Sequence, residues 1–250
     1  MSSQSTVVLI TGANSGVGYA ASKAIACASA NYHVIMASRS IEKGNAAISA
    51  IRAAGIKGRT STIQLDVTDE SSIAAAAARV SLDHGRLDVL VNNAGIYSQA
   101  ASLKAQLENT FATNVIGAAL VAEAFAPLLL RSASPYLLHV SSTLGSLAVS
   151  SDPQRFDHGL DARAYRVSKA ALNMLMVQDS KALGKQGVKV FAVCPGLVES
   201  NLRGEGEEQR SAGGKAGDPD VSGQMILRII EGGRDADVGK FVDRDGVVPW

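Results

Sequence analysis

The amino-acid sequence predicts an α/β fold: a seven-stranded parallel sheet, doubly wound, with helices on both faces. Three observations carry the prediction. Short, continuously apolar runs alternate with Ala-rich helical stretches along the chain, and strands apolar throughout belong in a parallel sheet covered on both sides. A glycine-rich turn joins the first run to the first helix. No internal repeat and no low-complexity linker divides the 250 residues, so residues 1–250 read as one domain, an ordinary size for a single α/β unit.

The elements follow in order. Val7–Thr11 is the first strand, and Gly16–Ala30 the first helix. His33–Ala37 leads to Ser40, a helix N-cap by residue type, and the helix Ile41–Ala54. Thr60–Asp66 precedes Glu70–His84, and Val89–Asn92 precedes the long stretch Leu103–Arg131. Tyr136–Ser141, the helix Ala164–Leu183, the strand Lys189–Cys194, the helix Val221–Glu231 and a last strand, Lys240–Asp243, complete the alternation. This is the Rossmann pattern, with ligands expected beyond the carboxyl ends of the strands. Two segments break the rhythm. Leu144–Arg163, with Asp152, Pro153 and Gly159, reads as a long loop. Ser200–Pro219 is richer in glycine and charge and follows Cys194-Pro195-Gly196 at a strand's carboxyl end. Residues 200–220 therefore read as a substrate lid, the plain alternative being a mobile surface insertion.

Composition excludes several classes. Hydrophobic residues make up 46% and charged residues 19%, which fits a packed globule rather than a disordered chain. The formal charge of +1 gives no reason to expect nucleic acid or an anionic membrane as partner, so phosphate binding must be local. Cys27 and Cys194 sit in apolar contexts and read as buried free thiols. Four histidines and two cysteines show no metal-ligand spacing, so no metal is expected. The opening, Met1 to Thr6, lacks the pattern of a secretory signal. The longest apolar stretch, Ala118–Leu130, is broken by Glu123 and Pro127 and is short for a bilayer span. The chain reads as soluble and cytoplasmic.

Thr11-Gly12-Ala13-Asn14-Ser15-Gly16-Val17-Gly18 sits between strand and helix. Glycines there let the backbone turn tightly and bring pyrophosphate to free N–H groups at the helix's positive end. An acidic residue some ~20 positions on usually holds the adenosine ribose. Counting from Gly18 reaches Ser38, then Arg39, and no carboxylate. A guanidinium suits a phosphate, so NADP(H) is expected, with NAD(H) the alternative. Lys43 is one turn further on, within reach of the same phosphate. The competing reading of Arg39 is a solvated charge beside Ser40.

In order along the chain stand Thr11–Gly18, Asp66-Val67, Asn92-Asn93-Ala94-Gly95, Asn114, Ser141-Ser142, Tyr165-Arg166-Val167-Ser168-Lys169, and Pro195-Gly196 with Val198 and Ser200. Over essentially its whole length the sequence resembles the short-chain dehydrogenase/reductase family, in its compact single-domain branch. The chemistry accounts for these residue types independently. Carbonyl reduction needs hydride from a nicotinamide and a proton for the oxygen. A phenol titrates near ~10 and needs a nearby positive charge to act close to neutrality. Lys169 lies one helical turn after Tyr165, on the same face, and Ser142 can hydrogen-bond the substrate oxygen.

The resemblance implies the remaining roles. Lys169 also holds the nicotinamide ribose, and Asn114 positions it through water. Choosing Ser142 over Ser141 follows the family pattern. Asp66 and Val67 flank the adenine, the turn through Asn93, Ala94 and Gly95 brings backbone to the cofactor, and Gly12, Asn14, Ser15, Gly16, Val17 and Gly18 cradle it. Pro195 and Gly196 lead to Val198, by its main chain, and Ser200, by its hydroxyl, which hold the carboxamide. Related NADPH users often carry a basic residue where this chain has Ser15. The long gap from Ser142 to Tyr165 resembles carbonyl-reductase-like branches, and the opening, the insertion and the ending look like a fungal ketoreductase subgroup. The resemblance also implies a homodimer or homotetramer, formed by pairing the helices Leu103–Arg131 and Ala164–Leu183, the alternative being that the insertion before Tyr165 covers that surface and leaves a monomer.

Other residues have plainer readings. His139 reads as a satisfied core histidine, Asp157 and His158 as surface residues of the insertion with a place at the pocket's border as the alternative, and Met174-Leu175-Met176 as core or subunit interface. Leu144, Tyr97, Phe156, Leu197 and Leu202 are candidate pocket walls, which suggests a hydrophobic carbonyl substrate. The leading expectation is an NADPH-dependent ketone or aldehyde reductase. An NAD-dependent alcohol dehydrogenase and a catalytically silent NADPH-sensing protein are the competing readings.

Overall fold

The computed structural model describes residues 5–250; the opening 1–4 read above lies outside the described residues. Seven parallel strands form one sheet. They are β1 (Thr6–Thr11), β2 (Tyr32–Ser38), β3 (Arg59–Gln64), β4 (Val89–Asn92), β5 (Tyr136–Val140), β6 (Lys189–Val193) and β7 (Phe241–Val242). Their order is β3-β2-β1-β4-β5-β6-β7. The chain winds outward from β1 to β3, then crosses back to β4 and winds the other way. The strand order therefore reverses between β1 and β4, and a crevice opens at their carboxyl ends.

Alternation along each strand divides the core. Val8 and Ile10 of β1, Val34 and Met36 of β2 and Val89 and Val91 of β4 face one side. There they meet Ile25 of α1 (Gly16–Ala28), Ile51 of α2 (Ile41–Ala53) and Ile226 of α9 (Pro219–Arg228). Val7, Leu9, Ile35 and Leu90 face the other. They pack with Val80 of α3 (Glu70–His84), Phe125 of α5 (Ala118–Leu129) and Met176 of α7 (Arg163–Leu183). Continuous apolar strands are thus each buried on both faces, and every large side chain so buried stabilises by about 1.5–3 kcal/mol.

The long helical stretch is α4 (Leu103–Phe111), a π turn (Ala112–Gly117) and α5 without a break. Gly117 permits it: a Cβ there would lie 2.6 Å from the carbonyl oxygen of Val67. Because the turn keeps the helix continuous, Leu103–Leu129 is 27 residues, and its most apolar 18-residue stretch has mean hydropathy 1.6, long and apolar enough to cross a membrane by those measures. The sequence reading of a shorter apolar stretch is corrected to that extent. Val121, Ala122, Phe125, Leu128 and Leu129 of this helix are buried in the domain core.

Several boundaries move. β7 is only two residues, because Asp243 turns to accept from the N–H groups of Asp245 and Gly246. The last long helix starts earlier than expected, at Pro219, with Asp218 capping the Asp220 N–H, an N-terminal proline being preorganised there. It closes at a second π turn, where Gly232 adopts φ 87°. The expected loop Leu144–Arg163 contains a 3₁₀ turn (Thr143–Gly145) and the short α6 (Leu147–Ser150). Ser200–Pro219 contains a 3₁₀ turn (Asn201–Arg203) and α8 (Glu207–Arg210). Cys27 and Cys194 are free thiols, Cys194 buried and Cys27 half-buried.

Candidate active site

The carboxyl ends of β1 and β4 are tied by one hydroxyl. Thr11 Oγ1 accepts from the backbone N–H groups of Asn93 (3.0 Å) and Ala94 (2.9 Å), and Asn93 Nδ2 donates to the Thr11 carbonyl at 2.8 Å. The glycine turn springs from this knot. Gly12 is at φ 62°, and a Cβ on Gly18 would lie 2.5 Å from Asn93 Nδ2 and 2.7 Å from the Gly12 carbonyl oxygen. Only a bare backbone lets α1 start this close to the sheet. Ser15 precedes the helix without capping it, so its first N–H groups face the crevice.

A chamber of about 570 Å³ occupies that crevice. Gly12, Asn14, Ser15, Gly16, Val17, Arg39, Asp66, Val67, Asn93, Ala94, Gly95, Tyr165, Lys169, Pro195 and Ser200 all line it. Four expected cofactor residues do not. Gly18 lies beneath the turn. Ser38 is buried, and its hydroxyl donates to Asn14 Oδ1 at 3.2 Å, bracing the loop rather than facing the chamber. Gly196 and Val198 line the neighbouring cavity instead, and the Val198 carbonyl accepts from Arg203 Nη2 at 2.8 Å. The bare glycines, free helix N–H groups and basic Arg39 fit a dinucleotide with its phosphates against the turn.

The structure brings together Tyr165, Lys169, Ser142 and Asn114. Tyr165 and Lys169 stand one turn apart on α7, both buried, with Lys169 Nζ 5.6 Å from the Tyr165 ring centroid. Lys169 Nζ donates to the Val140 carbonyl at 2.8 Å. Both serines border the neighbouring cavity, but the Ser141 hydroxyl donates to Asn173 on the helix, whereas the Ser142 hydroxyl bonds that of Tyr165. Asn114 sits in the π turn, the kind of helix irregularity that recurs at functional sites. Its side chain accepts from Ile96 N at 2.8 Å and donates to Ile96 O at 3.0 Å. Gly95 lets it approach Lys169: a Cβ there would stand 3.3 Å from Asn114 Oδ1 and 3.5 Å from Lys169 Nζ.

Burial governs the electrostatics. It pushes the Tyr165 phenol well above its usual range, helped by Cys194 and opposed by the Ser142 hydrogen bond and the charge of Arg203. It pulls Lys169 down to about 8, Cys194 opposing. Both shifts favour the neutral form, as desolvation does. The groups that draw the phenol down are Ser142 and Arg203, and burial outweighs both. Tyr165 consequently keeps its proton at neutral pH.

Beside the chamber lies a larger cavity of about 830 Å³, and Tyr165 borders both. All five expected wall residues, Tyr97, Leu144, Phe156, Leu197 and Leu202, line it. Asp157 is corrected from surface to buried wall, held by Arg155 through bonds of 3.1 and 2.7 Å, while His158 is exposed. The insertion is strapped down by the Tyr97 hydroxyl, which donates to Asp161 O at 2.9 Å, and by Arg166, which donates to Ser150 and Asp157 O. His139 is fully buried and bonds Asp179 at 2.9 Å through Nε2, but its Nδ1 has no partner among the described residues, so it is only half satisfied. Met176 is core and Met174 exposed.

Sequence reasoning missed three residues. Thr11 opened the glycine motif without being assigned a role. Gly145 lets the 3₁₀ turn rest on α7, where a Cβ would lie 2.5 Å from the Lys169 backbone. Arg203 enters the cavity from the segment Ser200–Pro219.

A family model described as short chain dehydrogenase matches residues 6–211. The chain is similar to the short-chain dehydrogenase/reductase tropE of Talaromyces stipitatus, at 35% identity over 96% of this chain and 96% of that protein. It is similar to eupG of Phoma sp at 33% identity, over 98% of this chain and 97% of that one. The NADPH-bound carbonyl reductase from chicken fatty liver matches it with a TM-score of 0.82 and 29% identity, covering 99% of this chain and all of the other.

Proposed function

Since the chain belongs to the short-chain dehydrogenase/reductase family of oxidoreductases, we propose that it reduces the ketone or aldehyde carbonyl of a hydrophobic small molecule with NADPH. One observation carries this reading: Tyr165 borders both the glycine-lined chamber and the largely apolar cavity, so one hydroxyl faces the meeting point of cofactor and substrate. The NADPH bound by the chicken reductase and Arg39 at the chamber wall support the choice of cofactor. Gly12, Asn14, Ser15, Gly16 and Val17 would hold its pyrophosphate, and Asp66 and Val67 its adenine.

NADPH, when bound, supplies the hydride. The protein supplies the rest. Ser142 donates a hydrogen bond to the substrate oxygen as charge develops there, and Tyr165 delivers the proton. Lys169 holds the ribose and Asn114 positions Lys169. The test follows NADPH and NADH absorbance against a panel of ketones and quinones. Oxidation of neither cofactor by any of them sinks the proposal.

The lid reading yields its own expectation. Shortening the segment between Gly204 and Gly214 should raise KM for bulky substrates several-fold and leave NADPH affinity nearly unchanged, as expected of a closing loop. A collapse of NADPH affinity would assign the segment to the cofactor site instead. We propose also that copies pair through α4–α5 and α7, where Leu103, Ile116, Val167 and Met174 are exposed apolar residues. Light scattering at micromolar concentration should return twice the chain mass or more, and the mass of one chain overturns the pairing.

A further inference from the structure

The charged residues of the larger cavity are not equivalent. Arg155 is paired with Asp157 at 2.7 Å and Arg244 with Asp245 at 3.2 Å. Asp218 and Asp243 are turned to cap backbone N–H groups. Arg203 alone among the cavity's arginines has no carboxylate within ion-pair distance among the described residues. Its side chain is nevertheless held. Nε donates to Gln209 O at 3.0 Å, and Nη2 donates to Val198 O at 2.8 Å and Arg210 O at 2.6 Å. Three of the five N–H groups are thus fixed on the backbone, while the two on Nη1 have no acceptor among the described residues. Ordering a long cationic side chain costs entropy, and the two N–H groups on Nη1 are left open to solvent or to a ligand. A rigid fork with one open tooth is suited to an oxyanion.

The dinucleotide is not the anion in question. Asn201, Leu202 and Gly204 border the glycine-lined chamber, but Arg203 does not; it faces the cavity shared with Ser142 and Tyr165. Its charge is also felt at the Tyr165 hydroxyl, which it draws downward against burial. Arg203 therefore stands near the reacting carbonyl, on the substrate's side.

Resting on the reductase reading above, we infer that Arg203 is a specificity-determining residue that selects carbonyl substrates bearing an ionised acidic oxygen near the carbonyl. A carboxylate and an ionised enol or phenol share this chemistry. The apolar walls take the hydrocarbon, Nη1 takes the anion, and Ser142 and Tyr165 take the carbonyl oxygen. Because Arg203 hangs from the carbonyls of residues 209 and 210, the same contact ties an anionic substrate to the segment that covers it.

The test compares 3-benzoylpropionate and benzoylformate with their methyl esters at neutral pH, in wild type, Arg203→Gln and Arg203→Lys. Wild type should favour the acids over their esters in kcat/KM. Arg203→Gln should collapse that preference by about 10- to 150-fold, the range for a charge-assisted bond, and Arg203→Lys should keep part of it. Equal use of charged and neutral partners by wild type overturns the inference, even if Arg203→Gln does not fold. So does a variant that loses both equally. Calorimetric binding of 3-benzoylpropionate in the presence of NADP⁺ separates the two readings. Binding that Arg203→Gln abolishes, with no turnover of any carbonyl, would leave the anion site standing and the reductase reading refuted.

Discussion

Tyr165→Phe should reduce carbonyl turnover by about 10²- to 10⁴-fold, the usual worth of a positioned proton donor, while leaving fold and NADPH affinity nearly as they are. The substitution removes one oxygen and little packing. The ring is buried against Tyr97, 5.7 Å away between centroids, and lies 5.6 Å from Lys169 Nζ, and both contacts survive it. The phenol is held protonated by burial, so reduction should proceed at neutral pH without the ionisation that alcohol oxidation needs. Lys169, pulled to about 8, carries its charge below that pH and loses it above. Wild-type reduction should accordingly hold through neutrality and decline above about pH 8, where Lys169 gives up its ammonium. Steady-state NADPH oxidation, thermal unfolding and NADPH fluorescence titration check the three parts. Near-wild-type turnover in Tyr165→Phe would remove that residue from the mechanism.

Local chemistry was legible in the sequence and tertiary pairing was not. A glycine at 12 or 18 answers to a steric demand that any close strand-to-helix turn makes, so the motif could be read before the neighbours were known. Tyr165 and Lys169 lie one turn apart, and helical geometry alone unites them. The π turn around Asn114 was invisible, because Ala112–Gly117 continues the apolar helical pattern and only the Val67 carbonyl, 50 positions before Gly117, explains that glycine. Asp157 looked like a polar loop residue; it is buried because Arg155 and Arg166 close on it from two directions. Ser38 was expected at the adenosine end of the chamber, but its hydroxyl is spent on Asn14. Arg203 carried no signal at all, since its role depends on where three backbone carbonyls fall.

The cofactor preference gives the last expectation. Ser38→Asp with Arg39→Ser should shift the ratio of catalytic efficiencies from NADPH toward NADH. A carboxylate at the end of β2 can accept from both ribose hydroxyls and repels a 2′-phosphate. Losing a charge-assisted contact typically costs about 1.5–3 kcal/mol, or about 10- to 150-fold. Arg39 is exposed, and solvent screening puts the effect at the lower end of that range. Lys43, expected to blunt the loss, is not among the residues lining the chamber, so Arg39 should carry most of the phosphate preference alone. Ser38 complicates the double variant, because Asp at that position sets a carboxylate against Asn14 Oδ1, where a hydroxyl now donates. The Asn14 amide must flip to present its N–H₂, which withdraws the acceptor and offers a donor to the new carboxylate. Arg39→Ser is therefore the cleaner measure of the phosphate contact, and the double variant the measure of what a ribose-binding carboxylate adds. Paired kcat/KM values for both cofactors, in wild type and both variants, decide it. A wild-type enzyme that already prefers NADH would refute the assignment of Arg39 to the 2′-phosphate before either variant is made.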